Sequence, residues 1–131
     1  VLEVGTGSGY QTAVLSLLCR RIYSIERHRP LELDAVRRFA ALDLSNISSA
    51  TGDGSFGWPE QAPFSRIIVS AAVAQVPQTL LDHMADDGIM IIPIGETAED
   101  QILYRFRKSG NKVEQEPLIQ VHFLPLVFGL P

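Results

Sequence analysis

A glycine-rich run near the start of the chain is the first feature that could do chemistry. The letters GTGSG at residues 5–9 follow a short apolar run and directly precede a segment with helical spacing. Glycines let the backbone turn sharply and let a ligand approach the main chain without a Cβ in the way. N–H groups exposed at a helix start favour a negatively charged or strongly accepting ligand group. The run therefore predicts a small-molecule site, with a plain ligand-free turn as the alternative.

The spacing of the glycines bears on which ligand the run would hold. The fingerprint for dinucleotides is Gly-x-Gly-x-x-Gly. Here the sixth place is Tyr10, and the third glycine comes one residue early, at Gly9. This departure favours a nucleotide-like ligand without a pyrophosphate. A nicotinamide-dependent oxidoreductase built on the same strand, loop and helix remains the alternative enzyme class.

Two acidic residues stand where further ligand contacts are expected. Glu26 closes a strand-like run about 20 residues beyond Gly5, a spacing suited to accepting hydrogen bonds from the hydroxyls of a ribose. Asp53 lies between Gly52 and Gly54, and such an acid can accept from an exocyclic amine such as that of adenine. Alone, a Glu at a strand end is usually a solvated charge and an Asp-Gly pair is a common turn. Together with the glycine run, they predict a nucleotide site.

The elements that must position these residues follow from the hydrophobic periodicity. Strands are predicted near residues 1–4, 21–26, 46–51, 66–71, 89–94, 101–108 and 112–124. Helices are predicted after the glycine run, after Pro30 and over residues 77–84. The order β-α-β-α-β-β-α-β-β-β predicts an α/β fold, a doubly wound and mostly parallel sheet with an antiparallel C-terminal hairpin. Ligands of such sheets bind beyond the carboxyl ends of the strands.

The two long helical segments carry predictions about which side chains face the sheet. Tyr10, Val14, Leu17 and Leu18 fall on one helical face. In the second segment Leu33, Val36, Phe39 and Ala40 share a helical spacing, and Glu32, Asp34, Arg37 and Arg38 are expected to point outward. Trp58, in the loop at residues 52–64, is interpreted as an anchor of that loop, with a position at the border of the binding side as the alternative.

Composition limits the remaining possibilities. The 131 residues suffice for one domain, and the net charge of −4 disfavours nucleic acid as a partner. No apolar run approaches the roughly 20 residues that span a bilayer. The single Cys19 excludes an intrachain disulfide and fits a reducing, cytoplasmic location, and the three histidines show no metal-ligand spacing. Because the chain starts at Val1 inside an apolar run, we interpret it as missing an N-terminal segment.

Several motifs, in order along essentially the whole chain, resemble those of the protein-L-isoaspartate O-methyltransferase family. They are VLEVGTGSGYQTAVLS, YSIER, GDGSFGWPEQAPF, RIIVSAA, VPQTLL, IPIG and VHFLPLV. The combination of GTGSGYQ with GDG-x-x-G-x-P-x-x-APF is specific to that family rather than general to methyltransferases. The resemblance implies a Rossmann-like methyltransferase fold, S-adenosylmethionine as cofactor, and methylation of the free carboxylate of L-isoaspartyl residues in damaged proteins and peptides.

The resemblance also implies roles for individual residues. Cofactor contacts are expected from Glu3, Gly5, Thr6, Gly7, Ser8, Gly9, Tyr10, Glu26, Arg27, Asp53 and Gly54, and the substrate side from Ala71, Ala72, Phe123, Leu124 and Pro125. The family's Ser- or Thr-bearing segment would lie before Val1, so no catalytic residue is assigned. A cofactor-binding fragment that is inactive without its N-terminal lid is therefore a further alternative. The expected partners are isoaspartyl proteins and peptides, and the chain is expected to be a monomer without a metal.

Overall fold

The chain forms one seven-stranded sheet flanked by helices. The computed structural model describes all of residues 1–131. The strands are β1 (Leu2–Val4), β2 (Ile22–Glu26), β3 (Ile47–Thr51), β4 (Phe64–Val69), β5 (Met84–Ile94), β6 (Ile102–Ser109) and β7 (Lys112–Gln120). The α-helices are α1 (Tyr10–Ser16), α2 (Arg29–Ala41) and α3 (Gln78–Asp82), and 3-10 turns lie at Gly54–Phe56 and Pro59–Gln61. This order of strands and α-helices is the predicted one.

The topology confirms the predicted fold class. The spatial order is β3-β2-β1-β4-β5-β6-β7, with parallel pairs from β3 to β5 and antiparallel pairs from β5 to β7. Starting from β1, strands β2 and β3 are added on one side of the sheet, and β4 to β7 are added on the other side. The order therefore reverses between β1 and β4, which is where a doubly wound sheet opens a crevice for ligands.

The core explains why the central strands read as apolar runs. Leu2, Val4, Ile67, Val69, Met90 and Ile92 are buried in one cluster on β1, β4 and β5. Strands buried on both faces need apolar side chains on both, and this suppresses the alternation seen in half-exposed strands. None of the helices is both long and apolar enough to cross a bilayer.

The loop between β3 and β4 is held to the core by an aromatic cluster. The ring centroids of Tyr23 and Trp58 lie 5.3 Å apart at an interplanar angle of 68°, and those of Tyr23 and Phe64 lie 5.9 Å apart. These are edge-to-face arrangements, which aromatic pairs favour. The prediction that Trp58 anchors its loop is confirmed.

The apolar face predicted for α1 does not face the sheet. Tyr10 is 79% exposed and Leu18 is 77% exposed, whereas Thr12 and Ser16 are buried. The reason is chemical, because the Thr12 hydroxyl donates a hydrogen bond to the carboxylate of Glu3, which is fully buried in β1. A buried carboxylate requires donors from the helix above it, and this requirement decides which face of α1 turns inward.

The orientation predicted for α2 is wrong in part for a similar reason. Phe39 is buried as expected, but Leu33 and Val36 are both exposed. Glu32 was expected to point outward and is instead buried, where it accepts a hydrogen bond from the Ser49 hydroxyl of β3. The hydrogen bond from Ser49 on β3 thus places Glu32 of α2 on the side that faces the sheet.

Three predicted strands have different bounds, and the differences in β4 and β7 affect the site. β5 begins at Met84, five residues earlier than predicted, and so includes the turn predicted at residues 86–88. β4 begins and ends two residues earlier than predicted, so Ser70 and Ala71 lie beyond its carboxyl end. β7 ends at Gln120 rather than near residue 124. The segment that follows leaves β7 and reaches back to β4, where a bridge joins Ala72 and Pro125.

The glycine run gives a paired prediction about stability. A Cβ on Gly9 would lie 2.7 Å from Cε1 of Phe39, and the φ of Gly9 is +86°. Gly7 has a φ of +56° with nothing within 4 Å of a Cβ. We expect Gly9→Ala to lower the free energy of unfolding by about 1–3 kcal/mol more than Gly7→Ala, because only the first adds a clash to the backbone strain. Urea unfolding of both variants measures the difference, and equal losses would contradict this packing.

Candidate functional site

A cavity of about 260 Å³ opens at the carboxyl ends of the central strands. Its wall combines the loops after β1, β2, β3 and β4 with the C-terminal segment of the chain. The lining residues are Val4, Gly5, Gly7, Ile25, Glu26, Arg27, His28, Leu31, Gly54, Ser70, Ala71 and Leu124–Val127. The structure thus gathers the predicted Gly5, Gly7, Glu26, Arg27, Gly54, Ala71, Leu124 and Pro125 around one space at the point where the strand order reverses.

The N–H groups of the glycine run are directed into the protein. Gly5 and Thr6 donate to the carbonyl oxygen of Ile25 at 2.8 and 3.3 Å, and Gly9 donates to the carbonyl oxygen of Thr6 at 2.9 Å. Gly7 donates to Oε2 of Glu26 at 2.8 Å. The expectation that the run presents free N–H groups to a ligand is therefore wrong for these four residues. Few donors remain for a pyrophosphate.

Glu26 ties the glycine run to the start of α2. Its Oε2 accepts from Gly7, and its Oε1 accepts from the N–H of His28 at 3.0 Å. The residue is buried yet lines the cavity. A carboxylate has about four lone-pair sites, so each oxygen keeps acceptor capacity after these two bonds. Two adjacent oxygens with spare capacity suit a pair of neighbouring hydroxyls.

Glu3 lies beneath the glycine run rather than in the cavity wall. It is fully buried and accepts from Nε2 of Gln11 at 3.0 Å, from the Ser24 hydroxyl at 2.6 Å and from the Thr12 hydroxyl. Because the Ser24 hydroxyl donates its one proton to Glu3, it accepts a hydrogen bond from the Thr6 hydroxyl at 2.5 Å. The carboxylate thereby fastens β1, β2, α1 and the glycine run to one another.

Gln11 extends this network to the cavity. Its Nε2 donates both to Glu3 and to the Ser70 hydroxyl, the latter at 2.8 Å. Ser70 lies just beyond β4 and lines the cavity. Neither Gln11 nor Ser70 is among the site residues predicted from the sequence. The available signal was the position of Ser70 at a strand end.

Asp53 accepts three hydrogen bonds and does not line the cavity. Its Oδ1 accepts from the N–H and the hydroxyl of Ser55 at 2.9 and 2.7 Å, and its Oδ2 accepts from the N–H of Gly129 at 2.6 Å. Partial burial pushes the pKa of Asp53 up, but these bonds and the charge of Arg27 outweigh it, so the pKa lies below its usual value. Asp53 is therefore ionised at neutral pH.

Gly54 needs to be a glycine for a steric reason. A Cβ at this position would lie 2.2 Å from Cγ1 of Val4 in β1. The turn after β3 therefore lies against the carboxyl end of β1. This approach brings the backbone of Gly54 into the cavity wall.

The residues predicted for the substrate side fall into two groups. Ala71, Leu124 and Pro125 line the cavity. Ala72 is buried behind it and exchanges hydrogen bonds with the C-terminal segment. Phe123 is half-buried and held at both backbone groups by the side chain of Gln101, at 2.6 and 2.9 Å.

Four residues of the glycine segment lie outside this cavity. Thr6 is buried beside Ser24. Ser8, Gly9 and Tyr10 border a separate surface depression together with Phe39. The cavity is also lined by residues that were not predicted from the sequence, namely His28 and Leu31 at the start of α2 and the stretch Leu126–Val127. No local pattern marks these residues, because only the tertiary fold brings them to the cavity.

Comparison with known proteins adds the deciding observation. The sequence model of the family described as protein-L-isoaspartate(D-aspartate) O-methyltransferase (PCMT) matches residues 1–130. The chain belongs to this family. It is 52% identical over 132 aligned positions to a protein-L-isoaspartate O-methyltransferase of Paramagnetospirillum magneticum, with 100% of this chain and 62% of the relative covered. The chain thus spans about three fifths of the length of that relative.

Solved structures of family members share the fold described above. A protein-L-isoaspartate O-methyltransferase superposes with a TM-score of 0.87 at 29% identity, covering 95% of this chain and 40% of its own. A chain from Plasmodium falciparum, described as a protein-L-isoaspartate O-methyltransferase in complex with S-adenosyl-L-homocysteine, gives a TM-score of 0.81 at 25% identity. The second match covers 96% of this chain and 64% of the other.

Proposed function

We propose that this chain forms the cofactor-binding part of an enzyme that transfers a methyl group from S-adenosylmethionine to the free carboxylate of L-isoaspartyl residues in damaged proteins and peptides. One observation carries the proposal. A chain that matches the family over residues 1–130 places a glycine run and a buried acidic acceptor, Glu26, on one cavity at the reversal of strand order.

The residues around the cavity suit the parts of this cofactor. The backbone of Gly5 and Gly7 would border its methionine part, and the free acceptor capacity of Glu26 would take the ribose hydroxyls. Asp53 and Gly54 would lie at the adenine end. Because four of the five N–H groups of the glycine run already donate to acceptors within the protein, the loop fits a cofactor without a pyrophosphate better than a nicotinamide dinucleotide.

Methyl transfer to a carboxylate requires the protein to position the reacting groups but not to transfer a proton. S-adenosylmethionine supplies an electrophilic methyl group, which forms a bond to a carboxylate oxygen as its bond to sulfur breaks. A free carboxylate has a pKa of about 4 and is already ionised at pH 7, so no general base is required. The chain's task is then to hold the reacting atoms in line at close approach. Ala71, Leu124 and Pro125 would border the side on which the isoaspartyl group arrives.

The relatives are longer than this chain, and this difference in length affects how much methyl-transfer activity we expect from the chain alone. The family member from Paramagnetospirillum magneticum has about two fifths of its length outside the match. We propose that this additional part closes the site over the bound groups. The chain alone is then expected to bind the cofactor and to transfer methyl groups slowly or not at all.

An assay of methyl transfer tests the function. The chain, and a chimera in which it replaces the matched region of the Paramagnetospirillum magneticum relative, are given labelled S-adenosylmethionine and an isoaspartyl peptide. The same peptide with an ordinary aspartyl residue is the matched control. We expect the chimera to label only the isoaspartyl peptide. A chimera that labels neither peptide, or both equally, would contradict the proposal.

Three further expectations complete the proposal. Residues 1–131 would form a single cofactor-binding domain, and the protein would act as a monomer on isoaspartyl proteins and peptides. The lone Cys19 supports a reducing, cytoplasmic location.

A further inference from the structure

The Ser70 hydroxyl lies just beyond β4, in the wall of the cavity. The backbone at this point is fixed, because the N–H of Ser70 donates to the carbonyl oxygen of Val4 in β1 at 2.9 Å. The hydroxyl accepts a hydrogen bond from Nε2 of Gln11 at 2.8 Å and makes no other hydrogen bond within the chain. Since a hydroxyl carries one donor proton as well as acceptor lone pairs, Ser70 still has its proton to donate.

The orientation of the Gln11 amide makes the Ser70 oxygen an acceptor. Nε2 of Gln11 also donates to Oε2 of Glu3 at 3.0 Å. The other hydrogen bonds that Glu3 receives come from the hydroxyls of Thr12 and Ser24. If the amide were turned over, its oxygen would face a carboxylate oxygen, and neither has a proton to donate. Glu3 therefore keeps the NH2 group of Gln11 toward Ser70, and an amide nitrogen cannot accept the Ser70 proton.

The neighbours of Ser70 place this hydroxyl between the two halves of the site. A Cβ on Gly5 would lie 3.5 Å from Cβ of Ser70, and the next residue along the chain, Ala71, also lines the cavity. In the proposed function Gly5 borders the methionine part of the cofactor and Ala71 borders the substrate side. Each side brings a carboxylate, one in the methionine part and one in the isoaspartyl group. A carboxylate is therefore the acceptor that fits the unused proton of Ser70.

We infer that the Ser70 hydroxyl donates a hydrogen bond to a ligand carboxylate, and that Gln11 is a positioning residue for this hydroxyl. Glu3 orients the amide, the amide donates to the Ser70 oxygen, and the Ser70 proton is left for the ligand. A hydrogen bond to an ionised acceptor is about twice as strong as one between neutral groups. This inference rests on the proposed function, because both carboxylates belong to the ligands named there.

Substitutions at Ser70 test the hydrogen bond. Ser70→Ala removes the donor, and Ser70→Thr keeps it. Ser65→Ala is the matched control, because Ser65 is an exposed serine of β4 that does not line the cavity. Isothermal titration gives the Kd of each chain for S-adenosylhomocysteine, and the chimera described above gives the KM of the isoaspartyl peptide at saturating S-adenosylmethionine. We expect Ser70→Ala to raise one of these two constants by about 10-fold. Ser70→Thr and Ser65→Ala are expected to leave both unchanged.

A cofactor analogue distinguishes the two carboxylates. Decarboxylated S-adenosylhomocysteine keeps the amine of the methionine part and lacks its carboxylate. If Ser70→Ala weakens the binding of S-adenosylhomocysteine but not of this analogue, the hydrogen bond goes to the cofactor. If only the KM of the peptide rises, the hydrogen bond goes to the isoaspartyl group. Unchanged values of both constants, or equal weakening of S-adenosylhomocysteine and its decarboxylated form, would overturn the inference.

A double-mutant cycle tests the positioning role of Gln11. Gln11→Leu removes the amide and is expected to raise the same constant as Ser70→Ala does, but to add nothing when Ser70 is already alanine. An equal further loss in the Ser70→Ala background would overturn the positioning role. Failure of the unmodified chain to bind S-adenosylhomocysteine would instead overturn the proposed function, and this inference with it.

Discussion

Glu26→Ala is expected to weaken the binding of S-adenosylhomocysteine by about 5- to 150-fold, equivalent to about 1–3 kcal/mol. The substitution removes two things together. The N–H groups of Gly7 and His28 lose their shared acceptor, and the cofactor loses the carboxylate expected to receive its ribose hydroxyls. Calorimetric titration of the variant and the unmodified chain measures the change.

Two further variants make this result specific. Glu26→Gln keeps one acceptor oxygen and places an amide donor against the other N–H, so an intermediate loss is expected. Glu60→Ala removes an exposed carboxylate of the turn Pro59–Gln61 that does not line the cavity, and it should bind as the unmodified chain does. If Glu26→Ala bound with the affinity of Glu60→Ala, the cofactor would be wrongly placed.

Glu3→Leu is expected to lower the free energy of unfolding by about 2–4 kcal/mol. The variant leaves the buried hydroxyls of Thr12 and Ser24 without their acceptor. The amide of Gln11 is only partly buried and can turn to water. Removal of a buried charge that has no cationic partner offsets part of the cost but not the loss of two buried hydrogen bonds.

The matched control for this prediction is Glu3→Gln. Its amide oxygen can still accept from both hydroxyls, so we expect a loss of about 1 kcal/mol. Urea unfolding compares the two variants. Because Glu3 does not line the cavity, we expect the affinity of the folded chains for S-adenosylhomocysteine to change less than stability does. A Glu3→Leu chain as stable as the unmodified one would contradict the supporting role of this carboxylate.

The order of elements could be predicted from the sequence, but the inward faces of the helices could not. Continuous apolar runs mark strands buried on both faces, and β1, β4 and β5 form the core accordingly. Hydrophobic periodicity assumes that apolar burial orients a helix. In α1 this assumption fails, because the buried carboxylate of Glu3 on β1 needs hydrogen-bond donors and the hydroxyl of Thr12 therefore faces the sheet. Glu3, in the middle of a short apolar strand, was the one available sign of this.

The site was predictable where it depends on strand ends and not where it depends on distant contacts. Gly5, Glu26 and Gly54 each follow or close a strand, and parallel strands bring their carboxyl ends to one edge. Gly129 reaches Asp53 from 76 residues away along the chain, and no local pattern encodes such a contact. The inward direction of the N–H groups in the glycine run likewise depends on the neighbouring β2.

The most direct test of the account is a calorimetric titration of this chain with S-adenosylhomocysteine and, separately, with NAD. We expect one-to-one binding of S-adenosylhomocysteine and no binding of NAD at the same concentrations. Binding of NAD alone, or of neither ligand, would contradict the central claim that the cavity at the carboxyl ends of β1, β2 and β4 holds S-adenosylmethionine.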